Sequence, residues 1–151
     1  MKKPSALLVI GFLAFTGSCN KKDPEPATRT QLLVGKKWQL MSDVLSYPGY
    51  PDTDLYAQMR PCSHDDYRQF NTPNTYVYDE GATKCSTLAS QTTLGVWAFS
   101  DNDSKLVLTD PNYSDTYTII ELSESRLKMT MPVPQSIGGD ATATLIFTVI
   151  N

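Results

Sequence analysis

In eight segments between residues 37 and 150 the apolar side chains recur at every second position, the period of a half-buried strand rather than of a helix. Trp38 and Leu40 alternate with Lys37 and Gln39, and Gly95, Trp97 and Phe99 alternate with Leu94, Val96 and Ala98. Leu106 and Leu108 share a face, as do Leu127, Met129 and Met131, and then Leu145, Phe147 and Val149. Eight segments carry this pattern, at residues 37–42, 66–71, 75–79, 92–100, 105–109, 115–122, 126–131 and 141–150. Turn chemistry separates most of them: Thr72-Pro73-Asn74, Asp101-Asn102-Asp103-Ser104, Asp110-Pro111-Asn112 and Ser123-Glu124-Ser125. Connections this short join antiparallel neighbours, and a closed barrel or a two-sheet sandwich then hides the edges. A sandwich of Greek-key type needs longer crossovers. The expected fold is therefore all-β, a small eight-stranded antiparallel up-and-down barrel.

A short helical turn at residues 30–34, capped by Thr28 and ended by Gly35, is expected to precede the barrel. Leu32 and Leu33 would plug one end. Residues 43–54 read as a long loop punctuated by Pro48-Gly49 and Pro51, and residues 55–59 as a single helical turn before Pro61.

The N-terminus has the layout of a secretory signal. Lys2 and Lys3 precede a ten-residue apolar run, Ala6 to Phe15, and then Thr16-Gly17-Ser18-Cys19. Ten residues are too few to cross a bilayer, which takes about 20. The small residues before Cys19 resemble a bacterial lipobox, in which the cysteine thiol takes a diacylglyceryl group and cleavage falls just before it. Two or more acyl chains anchor a protein stably. Asn20 in the next position, where an Asp would favour inner-membrane retention, points to the outer membrane. Three parts follow: a signal peptide at 1–18, a lipid-anchored linker at 19–30 that is polar and carries Pro24 and Pro26, and a domain at 31–151. Cleavage leaves 11 of the 13 basic residues against 16 acidic ones, a net charge of −5 with no basic cluster. That balance excludes a nucleic-acid footprint.

Cys62 and Cys85 bracket the hairpin at residues 66–79. With Cys19 acylated, they are the remaining pair in an oxidising compartment, and a disulfide is the expectation. A redox-active or metal-binding pair is the sharper alternative, but the Cys-x-x-Cys spacing is missing.

Three blocks resemble the lipocalin-like domain found in many small lipoproteins of Gram-negative bacteria. Gly35-Lys36-Lys37-Trp38 is similar to the Gly-x-Trp that opens the first strand, with one extra lysine. Cys62, Asp65-Asp66, Phe70, Thr75-Tyr76, Tyr78-Asp79-Glu80-Gly81 and Cys85 are similar to the family's cysteine-flanked hairpin. Gly95-Val96-Trp97, Leu106, Leu108, Tyr117, Ile119 and Leu122 follow its later strands. The resemblance implies an eight-stranded barrel of varied function, and it transfers no catalytic residue.

The residues themselves point to no catalytic set, metal site or cofactor. His64, the single histidine, is expected to be a solvated loop residue, since its neighbours Asp65 and Asp66 point to opposite faces. The acid pairs Asp65-Asp66 and Asp79-Glu80 are expected at opposite ends of the hairpin, bonding turn N–H groups or the guanidinium of Arg60 or Arg68. Asp101-x-Asp103 lacks the Gly and Glu of a calcium loop. Trp38, Tyr76, Tyr78, Trp97 and Phe99 line either a ligand cavity or the core, and a mostly filled interior with a shallow mouth is expected. The leading reading is a non-enzymatic envelope lipoprotein binding a small apolar or amphipathic molecule at that mouth. The alternative is a filled barrel that displays loops 43–54 and 132–140, with Tyr47, Tyr50 and Tyr56, to an envelope protein partner.

Overall fold

A computed structural model describes residues 25–133 and 140–151. The signal segment, Cys19, the start of the linker and residues 134–139 of the 132–140 loop lie outside the described residues. A short helix, α1 (Arg29–Leu33), leads into nine strands. They are β1 (Lys37–Ser46), β2 (Thr53–Asp54), β3 (Tyr67–Asn71), β4 (Thr75–Asp79), β5 (Thr92–Ser100), β6 (Lys105–Thr109), β7 (Ser114–Leu122), β8 (Arg126–Pro132) and β9 (Thr142–Ile150). Single 3-10 turns lie at Tyr56–Gln58 and Pro61–Ser63.

All pairings are antiparallel, and β3 to β9 follow one another in chain order. Strand β1 pairs with β9 from Lys37↔Ile150 to Ser46↔Thr142, which closes an eight-stranded barrel. The two-residue β2 stands outside that count and pairs with the far end of β1. Strand β1 meets β3 only through Lys37–Gln39. Beyond Gln39 the wall parts, and the chain from β2 to Asp66 covers the split. Gln39 Nε2 donates to the His64 carbonyl (2.6 Å) and Leu55 N–H to that of Asp43 (2.9 Å). The helix, the strands and the disulfide all fall between Arg29 and Ile150, and the wall closes on itself. A chain of residues 20–151 thus holds every described element of the barrel.

One end of the barrel is packed solid. Helix α1 sits there, its N-terminus capped by Thr28 in a reciprocal pair with Gln31. The helix runs one residue earlier than the sequence pattern suggests, over Arg29–Leu33, and Leu33 is buried while Leu32 is only half-buried. Trp38 Nε1 donates to the Leu33 carbonyl (2.9 Å) and Gly35 N–H to that of Phe70 (2.9 Å). Gly35 has φ +73°, a backbone conformation that glycine reaches without strain. Trp38, Phe70, Tyr76, Trp97, Leu106, Leu108, Ile119, Leu127 and Phe147 form the core with Leu33. The Trp97 ring meets Phe70 and Phe99 edge-on at 6.1 and 5.4 Å, a favoured aromatic geometry.

Gly95 faces inward directly opposite Tyr76. A Cβ there would lie 2.3 Å from the Tyr76 ring and 2.6 Å from the Thr109 carbonyl. The ring crosses the strand where side chains are absent, and its hydroxyl goes on to Asp110 (2.9 Å) and Tyr113 (3.2 Å). Gly95→Ala should displace Tyr76 and lose roughly 1–3 kcal/mol, as overpacked cores do. Urea unfolding would check it, and an unchanged midpoint would show that the ring has room to move.

The hairpin β3–β4 is pinned at its open end. Cys62 and Cys85 are bonded with Cα atoms 5.2 Å apart, joining the 3-10 turn to the segment after β4. Asp65 Oδ2 accepts from Ala82 N–H (2.9 Å), Thr83 N–H (2.8 Å) and the Thr83 hydroxyl (2.9 Å). The acid pairs therefore do not sit at opposite ends of the hairpin. Tyr67 pairs with Asp79, because antiparallel reversal brings the start of one strand beside the end of the next. Nor do the acids lean on an arginine: Asp65 bonds backbone, and Asp66 takes the Tyr78 hydroxyl.

The Thr83 hydroxyl, aided by the two N–H groups and opposed by burial, holds the Asp65 carboxyl below its usual pKa. A carboxyl depressed on folding adds stability above its unfolded-state pKa and loses it as pH falls through the folded-state one. Asp65→Asn should thus be less stable than the parent at neutral pH. In acid the gap should close, which unfolding midpoints at the two pH values would show.

Candidate functional site

The end of the barrel away from α1 is hollow. Inward positions there hold polar and hydroxyl-bearing side chains: Asp66 and Arg68 on the β3 side, Tyr78 on β4, Thr93 on β5, Asp115 and Tyr117 on β7. Two chambers result. A smaller one of about 140 Å³ lies under the 55–65 cover, walled by Trp38, Leu40, Met59, Leu145 and Phe147, with Asp66, Arg68 and Tyr78 at its polar side. A larger one of about 350 Å³ opens between Thr93, Asp110, Asn112, Tyr113, Asp115 and Tyr117. Arg68 and Tyr78 border both. The mouth is thus deeper than bulky strands alone suggest, and the larger chamber reaches the usual size range of small-molecule sites, about 300–1,000 Å³.

Arg68 is the unusual group. Its Nε and Nη1 are buried with no hydrogen-bond partner, and none of the ion pairs among the described residues includes it. Unmet buried donors cost on the order of 1–3 kcal/mol apiece. Part of that is offset by the Phe147 ring, whose centroid lies 5.3 Å from the guanidinium carbon. Burial works against its charge, but a guanidinium is not deprotonated in proteins, and Arg68 remains a cation.

Tyr76, Tyr78 and Tyr117 stay neutral at ordinary pH. Burial raises the pKa of Tyr76 and Tyr78, with their hydrogen bonds to Tyr113 and Asp110 and to Asp66 adding to it. Burial likewise pushes Tyr117 up to about 12. Burial also raises Asp66 against the bond from Tyr78, and raises Asp43 against the attraction of Arg68. Asp110 behaves differently. It accepts from Asn112 N–H (2.7 Å), Tyr113 N–H (3.2 Å) and the Tyr76 hydroxyl (2.9 Å), and these bonds outweigh its burial and lower its pKa. Among the described residues, no group of three or more His, Cys, Asp or Glu side chains could hold a metal ion.

A family model described as the lipocalin-like domain matches residues 33–129, well over half of the chain. The chain belongs to the lipocalin-like domain family. The match runs from the helical plug into β8 and stops short of β9, the strand that closes this barrel. Among curated proteins none matches the chain.

In this lipocalin-like barrel the five aromatic residues singled out from the sequence divide between core and site. Trp97 and Phe99 pack in the solid half. Tyr76 is fully buried and spans the middle. Trp38 forms the floor of the smaller chamber, and Tyr78 stands between the two chambers. Cys62 and Cys85 lie outside both, fastening the cover. His64 lies in a loop as expected, but its ring is half-buried and partnered rather than free in solvent. Its ring stacks on Tyr56 at 4.6 Å, and its Nε2 lies 3.2 Å from the Tyr56 carbonyl, an acceptor, so that nitrogen carries the proton. The disulfide next to it and the Asp65 bonds hold the turn against the 3-10 segment, which is why the ring is covered.

Arg68 was open to discovery from the sequence. It stands two residues before Phe70 and pairs with Tyr78, so period-two alternation places it on the inward face.

Proposed function

We propose that this protein is a non-enzymatic, lipid-anchored envelope lipoprotein that binds a small apolar or amphipathic molecule at the barrel mouth. The observation that carries the binding part is the pair of chambers, one mostly apolar and one polar, that share Arg68 and Tyr78 as a common wall. A barrel serving only as a spacer gains nothing from leaving buried donors unmet there. Acyl chains on Cys19 would moor the domain to the outer membrane. Titration calorimetry of residues 20–151 with 1-octanol tests the binding, and saturable heat with a negative heat-capacity change is expected. Absence of heat at every temperature tried would remove this reading. Labelled palmitate incorporated into the parent and also into Cys19→Ser would remove the anchor.

A second reading, a module that docks on another envelope protein, draws on different residues. Leu94 and Val96 on the outer face of β5 are 68% and 54% exposed, and Tyr50 in the loop before β2 is 75% exposed. Of the three tyrosines expected to make such a contact, Tyr56 is engaged with His64 and Tyr47 is half-buried. In-envelope cross-linking from position 94 that recovers one specific protein would favour this reading over ligand binding.

A further inference from the structure

The two chambers leave open what kind of head group the mouth reads. Several acids border it, and each already accepts a hydrogen bond from within the chain. Asp110 accepts from two N–H groups and the Tyr76 hydroxyl, Asp66 from Tyr78, and Asp115 from Tyr117 (3.3 Å). Oδ1 of Asp43 and Oδ1 of Asp66 are buried without a partner, and both belong to carboxyls that burial drives toward the neutral form. Arg68 is the reverse case. It is a permanent cation whose Nε and Nη1 are sealed from water and have no acceptor, and its side chain borders both chambers. A buried cation of this kind is satisfied by an anionic oxygen from outside the chain. The neighbouring walls of Trp38, Leu40, Leu145 and Phe147 offer nothing polar and suit a hydrocarbon part.

We propose that the mouth selects amphipathic monocarboxylates, with Arg68 receiving the carboxylate, the Tyr78 hydroxyl beside it, and the smaller chamber taking the hydrocarbon. The inference rests on the ligand-binding reading above and adds the chemistry of the head group. Guanidinium and carboxylate form charge-assisted bonds stronger than those of a neutral hydroxyl. The gain is largest where water is excluded.

Three probes of one chain length separate the possibilities: octanoate, 1-octanol and octylammonium, titrated into residues 20–151 at neutral pH. Octanoate should bind at least about tenfold more tightly than octanol. In Arg68→Met, whose fold is checked by circular dichroism, the octanoate-to-octanol ratio should fall to about one, and Arg68→Lys should restore part of it. Equal affinity for octanoate and octanol would overturn this inference and leave ligand binding standing. Tightest binding of octylammonium would also overturn it and make the acids the readers. If Arg68→Met keeps the full octanoate preference, another group reads the head. If none of the probes binds, the ligand-binding reading falls and takes this inference with it.

Discussion

Trp38→Ala should cost roughly 3–5 kcal/mol, the range for emptying a fully buried indole site. Trp38 has no exposed surface, and its Nε1 carries the bond to the Leu33 carbonyl that seats α1. Removing it opens a cavity under the helix, orphans that carbonyl and joins the floor of the smaller chamber to the packed half. A domain of this size holds about 5–15 kcal/mol in total, so the variant should unfold at a much lower urea concentration. Trp38→Phe keeps most of the ring and loses the bond, and it should fall between the two. A Trp38→Ala midpoint within experimental error of the parent would mean that the helical end is not where the barrel is held together.

Replacing both Cys62 and Cys85 with Ser should cost about 3 kcal/mol, the chain-entropy value for a loop of this length. The sequence separation is 23 residues. The loss should also have a location. The bridge ties the cover over the β1–β3 split to the segment after β4, next to the three bonds at Asp65. Hydrogen exchange should therefore quicken in residues 59–66 and 80–91 well before it quickens in β6 to β8. Uniform quickening would mean that the bridge stabilises the barrel without holding the cover. Unchanged stability on reduction would mean that the bridge does neither.

The strands were legible because one face of each is buried and alternation then has a single solution. The turns were legible because the backbone required unusual conformations that particular residues supply. Asn74, Asp101, Asn102 and Asp103 all adopt positive φ, as Asx residues tolerate. What escaped has a common cause, a phase change in the pattern. Register shifts between Leu40 and Ser42, so Trp38 and Leu40 face inward before the bulge and Asp43 and Leu45 after it. A period-two reading consequently stops at residue 42, four residues before β1 ends. The same shift between Ile119 and Glu121 brings Leu122 inward. The covering of His64 and the side-by-side placement of the acid pairs were missed for another reason. Tyr56, Ala82 and Thr83, the partners of His64 and Asp65, come from segments brought alongside by the disulfide and the hairpin. Arg68 was considered only as a partner for the hairpin acids, although its spacing from Phe70 places it on the inward face.

Amide chemical-shift mapping of residues 20–151 during titration with 1-octanol tests most directly whether the barrel is solid at one end and receptive at the other. Shifts should gather at Arg68, Tyr78, Thr93, Tyr117, Leu145 and Phe147, while Gly35, Phe70 and Ile119 stay still. Shifts centred on α1, or on Leu94 and Val96 of the outer wall, would contradict a binding site at the mouth, as would a spectrum that does not change.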